Sequence, residues 1–280
     1  HPRPDWMFNQ IADDRDHKGF RIPGEDSFYG KGFERPVYFI NCEPQQRGKF
    51  MNHTTGTSST AGKFAGAFSL GAVLFNKFNP DYANNLINHA YSAMKYALLK
   101  PGVTQTVSVV SPYIYAEDNW TDDMELGFAS LAKSLNDFKR KDISYLLDSS
   151  FKYSQPEKVT PWCYRDTANH YKYYPFINLG HYELAKQLKG NKKDSLISYY
   201  KQGIEDVWSR AKENAFFRGV PFIWCSNNLT TSFAIQCLWY QQLSGDNSFS
   251  EFGQANIDWL FGCNPWGTSM VYGLPSWGGT

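Results

Sequence analysis

From Ser58 onward, apolar side chains recur every three or four residues in one stretch after another. This spacing places them on one face of an α-helix, so the pattern predicts amphipathic helices. The stretches that predict helices are Ala61–Phe75, Leu86–Ala97, Met124–Leu135, Ile143–Phe151, Tyr182–Leu188, Leu196–Ala211, Phe233–Gln241 and Phe252–Leu260. Ser58 or Ser59 is expected to cap the first helix, and Asn79 followed by Pro80 to start the second. About eight helices with few strands indicate an all-α fold built from helical hairpins.

The remaining segments are rich in Pro, Gly and aromatic residues, which predicts long connections. Before the helices, only Val37–Ile40 reads as a short strand or extended segment, and Val107–Val110 is strand-like farther on. Two aromatic loops follow at Thr160–Asn178 and Gly219–Asn228. Loops of this length inside a compact domain are often functional. The predicted organisation is one domain segment over residues 1–280, with a loop-rich region at 1–57, helical hairpins at 58–262 and a loop at 263–280.

Composition and charge exclude several classes of protein. The chain has 280 residues, 42% of them hydrophobic and 20% charged, which is typical of a globular protein with a sizeable core. A net charge of +1 gives no general attraction to nucleic acid or to an anionic membrane. No run is apolar and long enough to span a bilayer, and no signal peptide opens this chain. The sequence does not predict an oligomeric state.

Aromatic residues make up 17% of the chain, with nine Trp and 18 Tyr, which is more than core packing usually needs. Tyr and Trp combine an apolar ring with a polar edge, which suits stacking on sugar rings, although several of them are expected in the core. Five cysteines are scattered without a C-x-x-C motif, so zinc and redox sites have no support. A buried, apolar role is the expected one for them.

The stretch Glu117–Leu126 places five acidic residues around Trp120 at the start of a predicted helix. Acids at a helix N-terminus interact favourably with the helix dipole, so capping is one interpretation. Crowded carboxylates also repel each other unless a cation, a proton or a polar ligand relieves them. The other interpretation is therefore a sugar-stacking tryptophan beside an oxygen-rich cation site.

Seven motifs, in one order, are similar to the catalytic domain of glycoside hydrolase family nine, the inverting endoglucanases or cellulases. They are D-H-K-G-F-R (Asp16–Arg21), E-R-P-V-Y-F (Glu34–Phe39), S-S-T-A-G-K-F-A-G-A-F (Ser58–Phe68), N-W-T-D-D-M-E-L (Asn119–Leu126), H-Y-K-Y-Y-P-F-I-N-L-G-H-Y-E-L-A (His170–Ala185), G-V-P-F-I-W-C-S-N-N (Gly219–Asn228) and D-W-L-F-G-C-N-P-W-G-T-S (Asp258–Ser269). The resemblance implies an (α/α)6 barrel, incomplete in this chain, with a cleft on its loop face that binds β-1,4-glucans.

The resemblance also implies an inverting mechanism with one catalytic base and one catalytic acid. The family's base lies in an Asp-Ala-Gly-Asp motif ahead of the Asp-His segment. Its acid is a Glu that follows a Pro-His and Arg-containing stretch beyond the Asn-Pro segment. Neither motif occurs in this sequence, so both catalytic carboxylates are expected to lie outside the chain.

Residues that bind substrate can be carried over where the motifs match. The resemblance implies that His17 faces the sugar near the cut and that Trp120 stacks on a sugar, with Tyr115 beside it. Trp162 and Trp224 fall where further sugar-stacking tryptophans occur in the family. Core packing is the alternative interpretation for each tryptophan.

Some members of the family bind a structural calcium ion through the acidic run and a later Asp. In this sequence that set would be the carbonyl of Thr121 with the side chains of Asp122, Asp123, Glu125 and Asp166. Calcium takes six to eight oxygen ligands, and these residues supply most of them. Met124 departs from the pattern, because the family has an acid there. A site held by hydrogen bonds without the ion is therefore the alternative.

The sequence favours a hydrolase of β-1,4-glucosidic bonds in cellulose or a related β-glucan, either secreted or located in the periplasm or at the cell surface. As an isolated segment, it is expected to bind the polysaccharide or its oligosaccharides without hydrolysing them. One alternative is a non-catalytic glycan-binding protein on the same barrel. The other is a plain helical scaffold whose aromatic residues all lie in the core.

Overall fold

The computed structural model describes residues 7–17, 34–110, 114–140, 143–165, 178–223 and 225–274. The chain divides into two compact units, residues 1–153 and 154–280. The first unit contains α1 (Ser58–Phe75), α2 (Pro80–Leu99), α3 (Thr121–Asp137) and α4 (Ser144–Tyr153). The second contains α5 (Pro161–Arg165), α6 (Leu179–Ala185), α7 (Asn191–Ala211), α8 (Ser226–Ser244) and α9 (Ser250–Leu260). The predicted all-α class is confirmed, and a helix occupies most of each predicted stretch, although α6 ends at Ala185, three residues before the predicted end at Leu188.

Short strands precede the helices of the first unit. The strands are β1 (Phe8–Ile11), β2 (Val37–Phe39), β3 (Gln46–Arg47) and β4 (Phe50–Met51), and a 3-10 turn spans Asp14–His17. β1 pairs antiparallel with β2, and β3 with β4. The strand expected at Val37–Ile40 is therefore confirmed, whereas its partner β1 was not predicted. Tyr38 is the buried residue of β2, while Val37 and Phe39 are exposed.

In the first unit, α1 packs against both α2 and α3, and α3 packs against α4. The buried face of α1 is made of small side chains, including Ala61, Ala65 and Ala72. A Cβ added at Gly62 would lie 2.7 Å from the carbonyl oxygen of Asp123. This glycine therefore allows the backbones of α1 and α3 to approach closely, and that approach brings the side chain that follows it, Lys63, to the acidic start of α3.

The predicted caps have mixed outcomes. Asn79 caps α2 as expected, because its side chain accepts a hydrogen bond from the N–H of Tyr82 at 3.1 Å and Pro80 is the first helical residue. The cap predicted at Ser58 or Ser59 is wrong. Ser58 donates to the carbonyl of Ala97 at 2.7 Å, and Ser59 accepts from the N–H of Thr104 at 2.9 Å, so both hydroxyls join α1 to distant parts of the chain.

The second unit has its own core, formed around Trp162, Tyr200, Phe233 and Phe252. The Thr160–Asn178 segment, predicted to be a loop, begins with the short helix α5, and its residues 166–177 lie outside the described ones. Burial of Cys163 and Cys237 confirms the apolar role expected of the cysteines at those two positions, whereas Cys263 is exposed and the prediction is wrong there. Among the helices described, none combines the length and the apolar character needed to cross a bilayer.

Candidate functional site

Trp120 is half-buried and lies directly before α3. Its ring meets Tyr153 of α4 edge-on, with ring centroids 5.8 Å apart and planes at 63°. Tyr153 in turn stacks on Phe128 at 5.7 Å. One side of the indole is therefore supported by the core of the first unit, while part of its surface stays open to solvent.

Tyr115 lies five residues earlier and is 38% exposed. Its backbone N–H donates to the hydroxyl of Thr106 at 2.8 Å. Two residues farther on, the carbonyl of Glu117 accepts from the side chain of Gln105 at 3.0 Å. The Tyr115–Trp120 segment is thus held by side chains of residues 105 and 106, so the structure brings both predicted sugar-contacting aromatics onto one anchored stretch.

The strand-like segment around Val107–Val110 is held in the same way, by side chains instead of a β-ladder. The Gln10 amide donates to the carbonyl of Val107 at 3.0 Å and accepts from its N–H at 2.6 Å. The Asp14 carboxylate accepts from the N–H groups of Val109 and Val110 and from the hydroxyl of Ser108, at 2.7, 2.9 and 3.0 Å. The strand predicted here is therefore an extended segment bonded to side chains.

Asp14 opens the 3-10 turn that ends at His17. The neighbouring Asp13 is buried and accepts two hydrogen bonds from the Arg15 guanidinium, at 2.7 and 2.6 Å, and one from the Tyr38 hydroxyl at 2.6 Å. Burial alone would raise the pKa of Asp13, but these hydrogen bonds outweigh it and lower the pKa. The backbone that carries His17 is therefore tied both to β2 and to the extended segment, and the side chain of His17 lies outside the described part of the structure.

The acidic cluster at the start of α3 is formed by Glu117, Asp122, Asp123 and Glu125. A cation that was not predicted from the sequence lies beside it. Lys63 of α1 places its Nζ 2.8 Å from Oδ2 of Asp123 and 2.5 Å from Oε1 of Glu117. Asp123 is buried, whereas about half of the Lys63 side chain is exposed. The signal in the sequence was an isolated charge inside the otherwise small and apolar S-S-T-A-G-K-F-A-G stretch.

The pKa values of this cluster follow from burial and crowding. Burial, together with the charges of Glu117 and Glu125, raises the pKa of Asp122 to about 7. Burial, together with the charge of Asp122, raises the pKa of Asp123 well above its usual range. Burial opposes the charge on Lys63, but the carboxylates of Asp123 and Glu117 outweigh it and raise the pKa of the ammonium. Oδ1 of Asp122 is buried and has no hydrogen-bond partner among the described residues.

The calcium site that the resemblance implies is not complete among the described residues and stays a prediction. Within the parts of the chain that the structure describes, no group of three or more His, Cys, Asp and Glu side chains is arranged to hold a metal ion. Thr121 is the first residue of α3, so its carbonyl points along the helix axis toward an N–H one turn on. Its hydroxyl donates to Asn119 at 2.8 Å, and Glu125 is buried within α3. Asp166 lies outside the described residues.

Trp162 corrects one of the predicted substrate contacts. Its side chain is fully buried in the core of the second unit, and its ring nitrogen has no hydrogen-bond partner among the described residues. A ring with no accessible face does not stack on a sugar, so the alternative interpretation, core packing, holds for Trp162. Trp224 lies outside the described residues, and the expectation that both catalytic carboxylates lie outside the chain stays a prediction.

Helical hairpins with aromatic and acidic residues on their connections define an all-α protein. The family model for glycosyl hydrolase family 9 matches residues 1–278, so the chain belongs to that family. Among curated proteins, endoglucanase 19 of Arabidopsis thaliana is 22% identical over 300 residues, which cover 98% of this chain and 44% of the plant protein. The chain thus spans less than half the length of this relative.

Solved structures of cellulases share the fold. The cellulase Cel9M of C. cellulolyticum matches with a TM-score of 0.67 at 15% identity, over 99% of this chain and 57% of that one. The endoglucanase of the termite Nasutitermes takasagoensis matches with a TM-score of 0.66 at 18% identity, over 94% of this chain and 54% of that one. These likenesses confirm the fold class expected from the resemblance, the (α/α)6 barrel.

Proposed function

We propose that the protein hydrolyses β-1,4-glucosidic bonds in cellulose or a related β-glucan by an inverting acid/base mechanism. The observation that carries this proposal is the family match across residues 1–278. Two solved structures with this fold support the substrate class, since one is the cellulase Cel9M in complex with cellobiose and the other is AaCel9A in complex with a cellobiose-like isofagomine. A polymeric substrate of this kind is met outside the cytoplasm, so we place the enzyme in a secreted, periplasmic or cell-surface setting.

We assign part of the substrate-binding surface to the described residues. Trp120 and Tyr115 offer partly exposed rings on an anchored segment, and aromatic rings stack on the apolar faces of sugars. We assign these two residues to glucan binding, with His17 contributing a polar contact near the bond that is cut. Hydrogen bonds to Gln105 and Thr106 fix the segment before substrate arrives, which lowers the entropy cost of binding.

The inverting mechanism requires one carboxylate to activate water and one carboxylic acid to protonate the leaving oxygen, roughly 6.5–9.5 Å apart. We assign both groups to parts of the protein outside this chain. Asp123 and Glu117 are assigned no catalytic role, because both are paired with Lys63. On this assignment the chain binds glucan and a longer polypeptide cleaves it.

Release of reducing sugar from soluble β-glucans tests the assignment. The assay compares this chain with a version extended at both termini. We expect hydrolysis by the extended version alone, with inversion at the anomeric carbon visible by NMR. Hydrolysis by the short chain would contradict the location of the catalytic groups. Binding of cellohexaose by both versions without hydrolysis by either would favour the alternative function, a non-catalytic glycan-binding protein.

Binding by the short chain is measured separately, by calorimetric titration with cellohexaose. Trp120→Ala and Tyr115→Ala are each expected to weaken binding about fivefold or more, since loss of one stacking ring costs on the order of 1 kcal/mol or more. Trp208→Ala and Tyr82→Ala are matched controls, because their side chains are similarly exposed, at 36% and 45%. Equal losses of affinity in the two pairs of variants would contradict the assignment of Trp120 and Tyr115 to glucan binding. No binding of cellohexaose by the wild type would favour a plain helical scaffold.

A further inference from the structure

We infer that Lys63 is the built-in cation of the acidic cluster at the start of α3, and that its ammonium replaces the calcium ion that the family resemblance implies. The inference concerns this chain alone and does not depend on the proposed glucanase activity. It rests on the contacts that Lys63 makes, on the ligands that the described residues fail to supply, and on the backbone approach that brings Lys63 to the cluster.

Lys63 joins three elements through one ammonium group. It belongs to α1, while Glu117 lies on the segment before α3 and Asp123 in the first turn of α3. The two Nζ–oxygen distances, 2.5 and 2.8 Å, are those of charge-assisted hydrogen bonds. A structural metal ion would make the same connection, by holding the segment that carries Trp120 against the helix.

With Lys63 in place, the described side chains leave few oxygens for calcium. Calcium takes six to eight oxygens at 2.3–2.6 Å. Asp122 and Asp123 are successive helical residues whose side chains leave the axis about 100° apart, and two carboxylates supply fewer oxygens than calcium takes. Oδ2 of Asp123 is already bonded to Lys63. Met124, which follows them, is fully buried and offers a thioether, a weak acceptor that calcium does not favour.

The position of Lys63 depends on the glycine before it. Gly62 packs directly on the backbone of Asp123, where any larger side chain would collide with the Asp123 carbonyl. Because α1 and α3 are this close, the lysine stem spans the gap to Asp123 while much of its length remains exposed. An ammonium carried on the chain needs no loading, so the segment before α3 stays fixed at any calcium concentration.

Thermal melting of the chain tests the inference. The melting temperature is measured once with calcium at about 1 mM, the range of weak extracellular calcium sites, and once with chelator instead. We expect the wild type to melt at the same temperature in both solutions. Lys63→Met keeps the stem but removes the charge, and is expected to melt about 4 °C lower or more in chelator. Calcium should recover part of that loss, since the carboxylates are then free to bind it. Lys63→Arg keeps the charge and should stay insensitive to calcium.

Lys133→Met is the matched control, because Lys133 lies on α3 and forms an ion pair with Asp137 at 3.5 Å. It should change the melting temperature little and show no calcium response. A wild type stabilised by calcium would overturn the inference, as would a Lys63→Met chain that melts with the wild type in chelator. A Lys63→Met chain that is destabilised but gains nothing from calcium would also overturn it, because Lys63 would then only form an ordinary ion pair.

If Lys63→Met does not fold, the wild type is titrated with calcium chloride in a calorimeter. Heat of binding would overturn the inference, and its absence would support it.

Discussion

The carboxylate of Asp14 accepts a hydrogen bond from the backbone N–H of Val109 at 2.7 Å, across 95 residues of sequence. Two further bonds, from the N–H of Val110 and the hydroxyl of Ser108, complete the contact. A buried aspartate at the start of a 3-10 turn therefore fixes an extended segment that would otherwise have unpaired N–H groups. This contact links the turn that ends at His17 with the stretch leading toward Tyr115 and Trp120.

Asp14→Ala is expected to lower the free energy of unfolding by about 2–4 kcal/mol, because three donors lose their acceptor and two of them are backbone groups. Urea unfolding of the purified chain measures the change. Asp16→Asn is the control on the same turn, since Asp16 pairs with Arg35 at 3.2 Å and is partly exposed. It should change stability by less than about 1 kcal/mol. Equal losses in the two variants would contradict the role given to Asp14.

Two glycines of α1 provide a matched pair that tests the contact between α1 and α3. A Cβ at Gly62 would lie 2.7 Å from the carbonyl oxygen of Asp123, whereas a Cβ at Gly71 would meet only the end of the Leu86 side chain, at 3.4 Å. Alanine raises helix propensity by about 1 kcal/mol at either position. Gly71→Ala should therefore be neutral or stabilising, while Gly62→Ala should lose stability because the helices must separate. Thermal melting of both variants measures the difference, and a stabilising Gly62→Ala would refute the close approach.

The helices could be predicted from the sequence because burial of one face imposes a period that is visible locally. The apolar residues spaced along Ala61–Phe75 predicted α1, and Asn79 followed by Pro80 predicted the start of α2. The strand β1 could not be predicted in this way. Its four residues show no alternation of buried and exposed positions, and β1 exists because β2, far along the chain, pairs with it. The hydroxyls of Ser58 and Ser59 also bond to distant residues, which local cap rules do not anticipate.

The candidate site was only partly predictable for a related reason. Residue type and motif selected Trp120 and Tyr115, and both are partly exposed on one segment. Lys63 was missed because its partner Asp123 is 60 residues away and no local pattern joins them. Trp162 was assigned to sugar binding on its motif alone, and motif position does not distinguish an exposed ring from a buried one.

The core position of Trp162 leads to a test that separates packing from sugar binding. Trp162→Ala removes a fully buried indole, which is expected to cost about 3–5 kcal/mol of unfolding free energy. Trp266→Ala is the control, because that ring is 58% exposed and should cost about 1 kcal/mol or less. Denaturant unfolding followed by far-UV circular dichroism measures both, since the signal does not depend on tryptophan emission. A small loss of unfolding free energy in Trp162→Ala would contradict the core position and make Trp162 a candidate sugar contact again.

The raised pKa of Asp122 predicts how stability changes with pH. In the folded chain its pKa is about 7, above the usual value near 4 that the unfolded chain has. Between these values the folded state binds the proton and the unfolded state does not. The contribution of Asp122 is therefore fully present below about pH 4 and is lost as pH rises toward 7, with a slope of at most about 1.4 kcal/mol per pH unit.

Asp122→Asn isolates this contribution, because the amide has nearly the same shape and does not titrate. Urea unfolding at intervals from pH 4 to 8, roughly the window between the two pKa values, compares the variant with the wild type. The difference in unfolding free energy should shift in favour of the variant as pH rises, and level off above pH 7. A pH-independent difference would mean that Asp122 is ionised throughout and that another group supports its charge. Calcium and chelator are kept equal in both series, so that the protonation of Asp122 is measured apart from any effect of the ion on Lys63 and its partners.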